Sequence, residues 1–314
     1  MSILPGAPVF SEHETENARI AEAEEVTAKS ESPRRRLWRR FRHNWLAMGA
    51  LVYLVVLVVV SVFAGFFAPH SPYATGGPIN SGPSREYWLG TDSTGRDILS
   101  RLIYGGRSSL EVCFLVVLFA LLIAVPLGLI SGYFRGWPDS VISRVMDGLF
   151  AFPALTLALA IAAILGPSLR NAAIALSIPF IPGMVRLLRA QVLGVREETY
   201  IEASVSVGAT RRRMLTHHVG PNVASPMIVQ LALAFGFALL AEAGLSFIGL
   251  GVQPPQPSWG AMIGDAQKFQ LSAPWPIYPP GIAIALTVLA FNLIADGLRD
   301  SMGRESFRLS AVAS

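Results

Sequence analysis

Gly244-Leu245-Ser246, with Glu242 two residues upstream, has the outline of a membrane-embedded serine nucleophile. Such a serine needs a base beside it. No long apolar stretch of the chain contains a histidine, and His217 and His218 fall in a polar segment on the far side of an apolar span. Those two histidines are adjacent, so on a helix they point about 100° apart and would not chelate one metal. Gly90-Thr91-Asp92 followed by Gly95-Arg96-Asp97 has the look of a metal loop but lacks the alternating acids of a calcium site. It reads as a tight turn held by Asp and Arg contacts. A P-loop requires Gly-Lys-Ser/Thr. The only lysines are Lys29 and Lys268, and neither follows a glycine. If ATP drives this protein, the energy must arrive from another subunit through a mechanical contact.

The elements that would position these residues are membrane spans. Hydrophobic residues make up 52% of the 314-residue chain and charged ones 15%, against about 25% charge in soluble domains. The single cysteine, Cys113, cannot form an internal disulfide. A span needs about 20 mostly apolar residues. The pattern predicts six: Leu46–Ala68, Leu110–Tyr133, Leu149–Gly166, Ala172–Leu188, Pro226–Gly249 and Gly281–Ile294. The fourth is short and carries Pro179 and Pro182, which suits a kinked helix buried in a bundle. Gly128 and Gly132 permit close helix packing. Ile98, Leu99, Leu102 and Ile103 recur at helical spacing, predicting a short surface helix before the second span. The fold class expected is therefore all-α and polytopic.

Arginines set the expected orientation. Arg34, Arg35, Arg36, Arg39, Arg40 and Arg42 precede the first span, which places the N-terminus in the cytoplasm. Six spans return the C-terminus to the same side, with Arg211, Arg212 and Arg213. The net charge of +4 thus reflects topology rather than nucleic-acid binding. Arg85, Arg96, Arg101 and Arg107 fall outside against this rule, offset locally by Glu86, Asp92, Asp97 and Glu111. The resulting organisation is a disordered acidic cytoplasmic tail (1–33), a basic juxtamembrane segment (34–45), a span domain (46–300) and a C-terminal cytoplasmic tail (301–314). Segments 69–109 and 250–280 are external, and 190–222 is a cytoplasmic loop. Residues 1–33 are acidic, with no apolar period, and do not read as a signal peptide.

Residues 200–222, YIEASVSVGATRRRMLTHHVGPN, form a polar segment between apolar stretches. Glu202 lies early in the predicted helix, where its charge suits the helix dipole. Ile201, Val205, Met214 and Leu215 offer an apolar ridge. Ala203, Ser204 and Gly208 keep one face small, and Pro221 marks where the next span begins. A plain amphipathic helix on the membrane surface is the alternative. Glu242, the one acid well inside the fifth span, has two readings: a polar group on a pathway or subunit seam, or a hydrogen-bonded structural residue.

Glu202, Ala203, Ser204, Gly208 and Pro221 have the layout of the loop by which ABC importer permeases dock onto their ATPases. WLGTDSTGRDILSRLIYGGRSSL (88–110), SGYFRGWPDSVISRVMDGLFAFPALTLALAI (131–161) and EAGLSFIGLGVQPPQPSWGAMI (242–263) are similar to stretches of the DppC/OppC-type permease subunits of dipeptide and oligopeptide ABC importers. The likeness covers nearly all of 40–300. It implies a six-helix, non-catalytic permease in the bacterial inner membrane. The implied partners are a homologous second permease, two ATP-binding subunits or a fused one, and an extracytoplasmic peptide-binding protein. It implies no cofactor on this chain, with ATP and Mg in the partner ATPases. ATPase docking is assigned to Glu202, Ala203, Ser204, Gly208, Arg211 and Pro221, and a receptor-facing loop to Gly90, Asp92, Gly95, Arg96 and Asp97. Ser204 departs from a usual Ala, and Gly220 from a usual Leu. Related importers carry dipeptides, longer peptides, glutathione or chelated nickel. An ion-coupled secondary transporter would instead favour buried acid pairs and internal repeats.

Overall fold

The computed structural model describes residues 33–312, and the side chains within that range except those at 33–36, 202, 203, 205, 212 and 303–312. The expectation of disorder for the N-terminal tail falls outside the described residues. The described residues are helical, joined by turns and loops. In chain order the helices are α1 Pro33–His43, α2 Trp45–Val62, α3 Ala64–Phe67, α4 Ile98–Tyr133, α5 Trp137–Phe150, α6 Ala154–Leu165, α7 Leu169–Arg196, α8 Thr199–Ser206, α9 Arg211–Arg213, α10 Gly220–Phe247, α11 Trp259–Gln267 and α12 Tyr278–Val312. A π-helical turn, Met214–Val219, joins α9 to α10 without a break.

Five helices are long and apolar enough to cross a membrane, and a sixth crossing exists if the bent pair α5 and α6 counts as one. That pair is where the predicted third span differs. Leu149–Gly166 is apolar throughout, but Pro153 lies inside it and α6 begins only after that proline. Proline disfavours helix at the preceding residue. The two helices bend by 88° there. α6 alone, at 1.5 Å per residue, is about 18 Å long and cannot cross the hydrocarbon core.

The second span also differs from expectation. No separate surface helix precedes it: α4 is one helix of 36 residues, about 54 Å long. Asp97 caps it, its Oδ2 accepting from the Ser100 amide at 2.9 Å. Gly105 and Gly106 do not break the helix; their bare Cα faces admit the Trp259 ring, which is buried. The Trp259 indole donates to the Leu102 carbonyl at 2.9 Å, tying α11 of the 250–280 segment to α4. That segment is therefore packed rather than an open loop.

α4, α7 and α10 enclose the main core. α7 is the most enclosed crossing helix, with 56% of its apolar window buried, as its two prolines suggested. Gly128 and Gly132 let α4 and α7 meet: a Cβ on either would fall 2.5–2.6 Å from the Cβ atoms of Leu188 and Val192. α2 is capped by Asn44, whose Oδ1 accepts from the Ala47 amide at 3.2 Å. Only one stripe of α2 is buried (Ala47, Ala50, Leu54, Ser61), and it packs on α12. Val52, Val55, Val56, Val58, Val59 and Val62 are exposed, as lipid contact requires.

Candidate functional site

The 199–222 segment is a bent turn rather than one amphipathic helix. α8 ends at Ser206, and Gly208 sits at φ +83°, a left-handed conformation that favours glycine. The Ala209 amide donates to the Ser204 carbonyl at 3.1 Å. This is the six-to-one bond of a Schellman stop. Thr210 then caps α9, its hydroxyl accepting from the Arg213 amide at 3.4 Å. Gly208 is thus required for its backbone, and a Cβ there would meet nothing within 4 Å. The expected small packing face is not what explains it within this chain.

The expected apolar ridge is also redistributed. Ile201 and Met214 are buried, at 3% and 0% exposure, and pack into the chain's own core. Leu215 is half-buried, and the Val205 side chain falls outside the described residues, as do those of Glu202 and Ala203. What projects instead is Val207, 87% exposed, beside the exposed Gly208, Arg211 and Arg213. Sequence reasoning passed over Val207. The signal was the glycine after it, which ends the helix and leaves its neighbour at the tip.

Pro221 does not start the span. The helical path runs through it, because the preceding turn is π-helical and the Gly220 amide reaches back to the Leu215 carbonyl. Wider turns of this kind absorb the bond a proline lacks. Asn222 braces the segment, its amide donating to the Tyr200 hydroxyl at 3.0 Å and to the His218 carbonyl at 2.7 Å. Ser204 donates to the Tyr200 carbonyl at 2.8 Å.

Polar clamps hold the base of this turn to the bundle. Arg189 of α7 grips Asp139 of α5, which also accepts from Ser131 of α4 at 2.5 Å. Arg196 donates to the Tyr133 carbonyl at 2.8 Å. Arg135 pairs with Glu197 at 2.7 Å. The Arg211 guanidinium stands over the Phe134 ring at 5.7 Å. An exposed tip on a base fixed to three helices suits a part that transmits force.

The other sequence candidates lie apart from this turn. Gly90 and Gly95 both have positive φ, and Asp92 is the hub of their turn. It accepts from the Thr94 amide and hydroxyl, each at 2.8 Å, and from the Arg96 amide and Nε at 3.0 and 2.7 Å. Burial alone would raise the Asp92 carboxyl, but the bonds from Arg96 and Thr94 outweigh it and hold it below its ordinary value. Asp97 is buried as the cap of α4. These five residues form a folded knot over the end of α4.

Glu242 is enclosed at 1% exposure where α10, α4 and α11 meet. Ser246 donates to its Oε1 at 2.7 Å, and Ser246 also accepts from the Val252 amide at 3.3 Å. Oε2 of Glu242 is buried with no hydrogen-bond partner among the described residues, so the structural reading accounts for only one of its two oxygens.

Comparison with known proteins bears on the fold and family. Residues 124–305 match the family described as binding-protein-dependent transport system inner membrane component. Residues 32–83 match the N-terminal TM domain of oligopeptide transport permease C. The chain is 46% identical over 273 residues to a dipeptide transport system permease protein DppC of Alkalihalophilus pseudofirmus, covering 86% of this chain and 90% of that one. It is 41% identical to a glutathione transport system permease protein GsiD of Pectobacterium atrosepticum, covering 86% and 91%. In fold it resembles inward-facing structures of the MetNI methionine ABC transporter, with a TM-score of 0.55 at 17% identity, covering 65% of this chain and 98% of that one.

Proposed function

The chain belongs to the family of binding-protein-dependent transport inner membrane components, and we propose that it forms half of the transmembrane pathway of an ATP-driven importer of dipeptides and oligopeptides. Separate ATPase subunits bind at the 207–213 tip, a homologous permease completes the pathway, and an external binding protein delivers the peptide. The N- and C-termini face the cytoplasm.

The observation that carries this reading is the braced tip. Val207 offers an apolar contact, and Arg211 and Arg213 offer charge to a partner groove. ATP-driven movement of the partner would pass through the Asp139–Arg189 clamp into α5 and α7, and through the π turn into α10. The sequence has no Gly-Lys-Ser/Thr, which supports placing the nucleotide chemistry on the partner subunits.

The test is a Val207→Cys variant co-expressed with its ATPase. A thiol-reactive crosslink to the ATPase, with uptake of labelled dipeptide blocked by that crosslink, is expected. Failure to crosslink, together with normal uptake by Val207→Asp, would refute docking at this tip. Glutathione is the second substrate reading, favoured by relatives at 41–42% identity. Competition between labelled dipeptide and glutathione for uptake separates the two.

A further inference from the structure

α1 and the far part of α12 close a pocket at one end of the bundle. Phe41 is buried at 5% exposure and lies against Gly297, where an added Cβ would meet its ring at 3.2 Å. Arg40 reaches from α1 toward the Ser301 carbonyl, 3.5 Å away. Between them opens a pocket of about 790 Å³ whose lining includes Arg39, Arg40, His43, Arg299, Asp300 and Trp45. Among the described side chains, its lining includes three guanidinium groups and one carboxylate.

Its depth is as informative as its charge. Trp45 is the first residue of the α2 span and is 78% exposed, the position an aromatic takes at a membrane interface. Below the pocket, Leu46, Val52, Val56 and Val59 are exposed along the outward side of α2. A ligand seated among the arginines would continue onto an apolar helix face.

We propose that this pocket binds the phosphate headgroup of an anionic phospholipid, with the acyl chains lying along α2. Guanidinium forks match phosphate oxygens in geometry and charge. Basic pockets between helix ends on one side of a bilayer are suited to such headgroups. The chain supplies a competing anion, the segment bearing Glu12, Glu14, Glu16, Glu22, Glu24 and Glu25. The lipid is favoured because the pocket runs on into the valine face of α2, which a glutamate-rich segment would leave unused. The proposal rests on the membrane-spanning reading and not on the cargo.

The test uses the full chain purified with its partner subunits and native mass spectrometry with added phosphatidylglycerol or phosphatidylcholine. Phosphatidylglycerol should be retained selectively by the wild type. Arg39→Gln and Arg299→Gln should each weaken that retention roughly fivefold, while Arg42→Gln, outside the lining, should not. Millimolar inorganic phosphate should not displace the lipid, and deleting residues 2–32 should leave retention unchanged. Equal retention of both lipids by the wild-type complex would overturn the proposal whatever the variants do. Displacement by phosphate would reduce the pocket to a simple anion site. A rise in lipid retention on deleting 2–32 would identify the acidic segment as the occupant.

Discussion

Arg189 holds Asp139 with two parallel bonds, Nε to Oδ1 at 2.6 Å and Nη2 to Oδ2 at 2.7 Å. The pair spans fifty positions of sequence and fixes α5 to α7. Arg189 is about a third exposed, so solvent screening limits the pair to about 1 kcal/mol of stability. Its larger role is geometric.

Asp139→Asn should therefore assemble normally yet couple poorly, with uptake per ATP hydrolysed falling several-fold. Exchanging the charges, Asp139→Arg with Arg189→Asp, should recover part of the loss. Unchanged stoichiometry of uptake to hydrolysis in the single variant would show that the clamp carries no force.

Gly208 separates two explanations by one comparison. If its backbone conformation is what matters, Gly208→Leu should cost about 1–2 kcal/mol locally and reduce both uptake and co-purification of the ATPase. Gly208→Asn should retain most of both, because asparagine tolerates the left-handed region. If instead a partner backbone packs against the bare glycine, Asn should fail as badly as Leu. Co-purification yields of the two variants decide between them.

Orientation is open to cysteine labelling in intact cells. Leu271 is fully exposed in the 250–280 segment and Val207 is exposed at the opposite turn. A cysteine at Leu271 should react with an impermeant reagent and one at Val207 should not. Ser258 makes a poor probe, since it is buried as the cap of α11. External labelling at Val207 would invert the topology.

Asp92 gives a pH dependence with a definite sign. Its folded carboxyl is lowered, so the stability it lends is fully present above the ordinary aspartate value of about 3.9. That stability is lost as pH falls through the lowered folded value. Asp92→Asn should lower the unfolding temperature by a few degrees at pH 7, with the gap constant down to about pH 5 and closing below about pH 4. A gap that closes near neutrality would assign the effect to another group.

The first and fifth spans were legible because each is apolar over a span's length with a polar cap or basic flank, and the fourth, though short, because Pro179 and Pro182 marked a buried helix. The third was misjudged because hydropathy averages over a break; Pro153 carried the missing information. The helix at Ile98 was expected to be a short surface element, because Ile98, Leu99, Leu102 and Ile103 follow a turn-rich stretch, and Gly105-Gly106 lies between it and the second span. Trp259, more than 150 positions later, fills that gap and makes the helix continuous, which no local pattern reveals. In the docking segment the residue set was readable but its geometry was not. Ile201 and Met214 are apolar at plausible docking positions, and only the tertiary fold turns them inward and leaves Val207 at the tip.

The uninterrupted path from Met214 to Phe247 spans 34 residues, about 51 Å at 1.5 Å per residue. The helical path runs through both Pro221 and Pro226, and a rod of that length, if it moves as one piece, is a lever. Rocked by about 5° at the docking end, it would carry its far tip roughly 4 Å sideways. That far tip holds Glu242 and Ser246 and the segment leading to Trp259, so a small push on one side of the membrane would be delivered, magnified, to the mouth on the other.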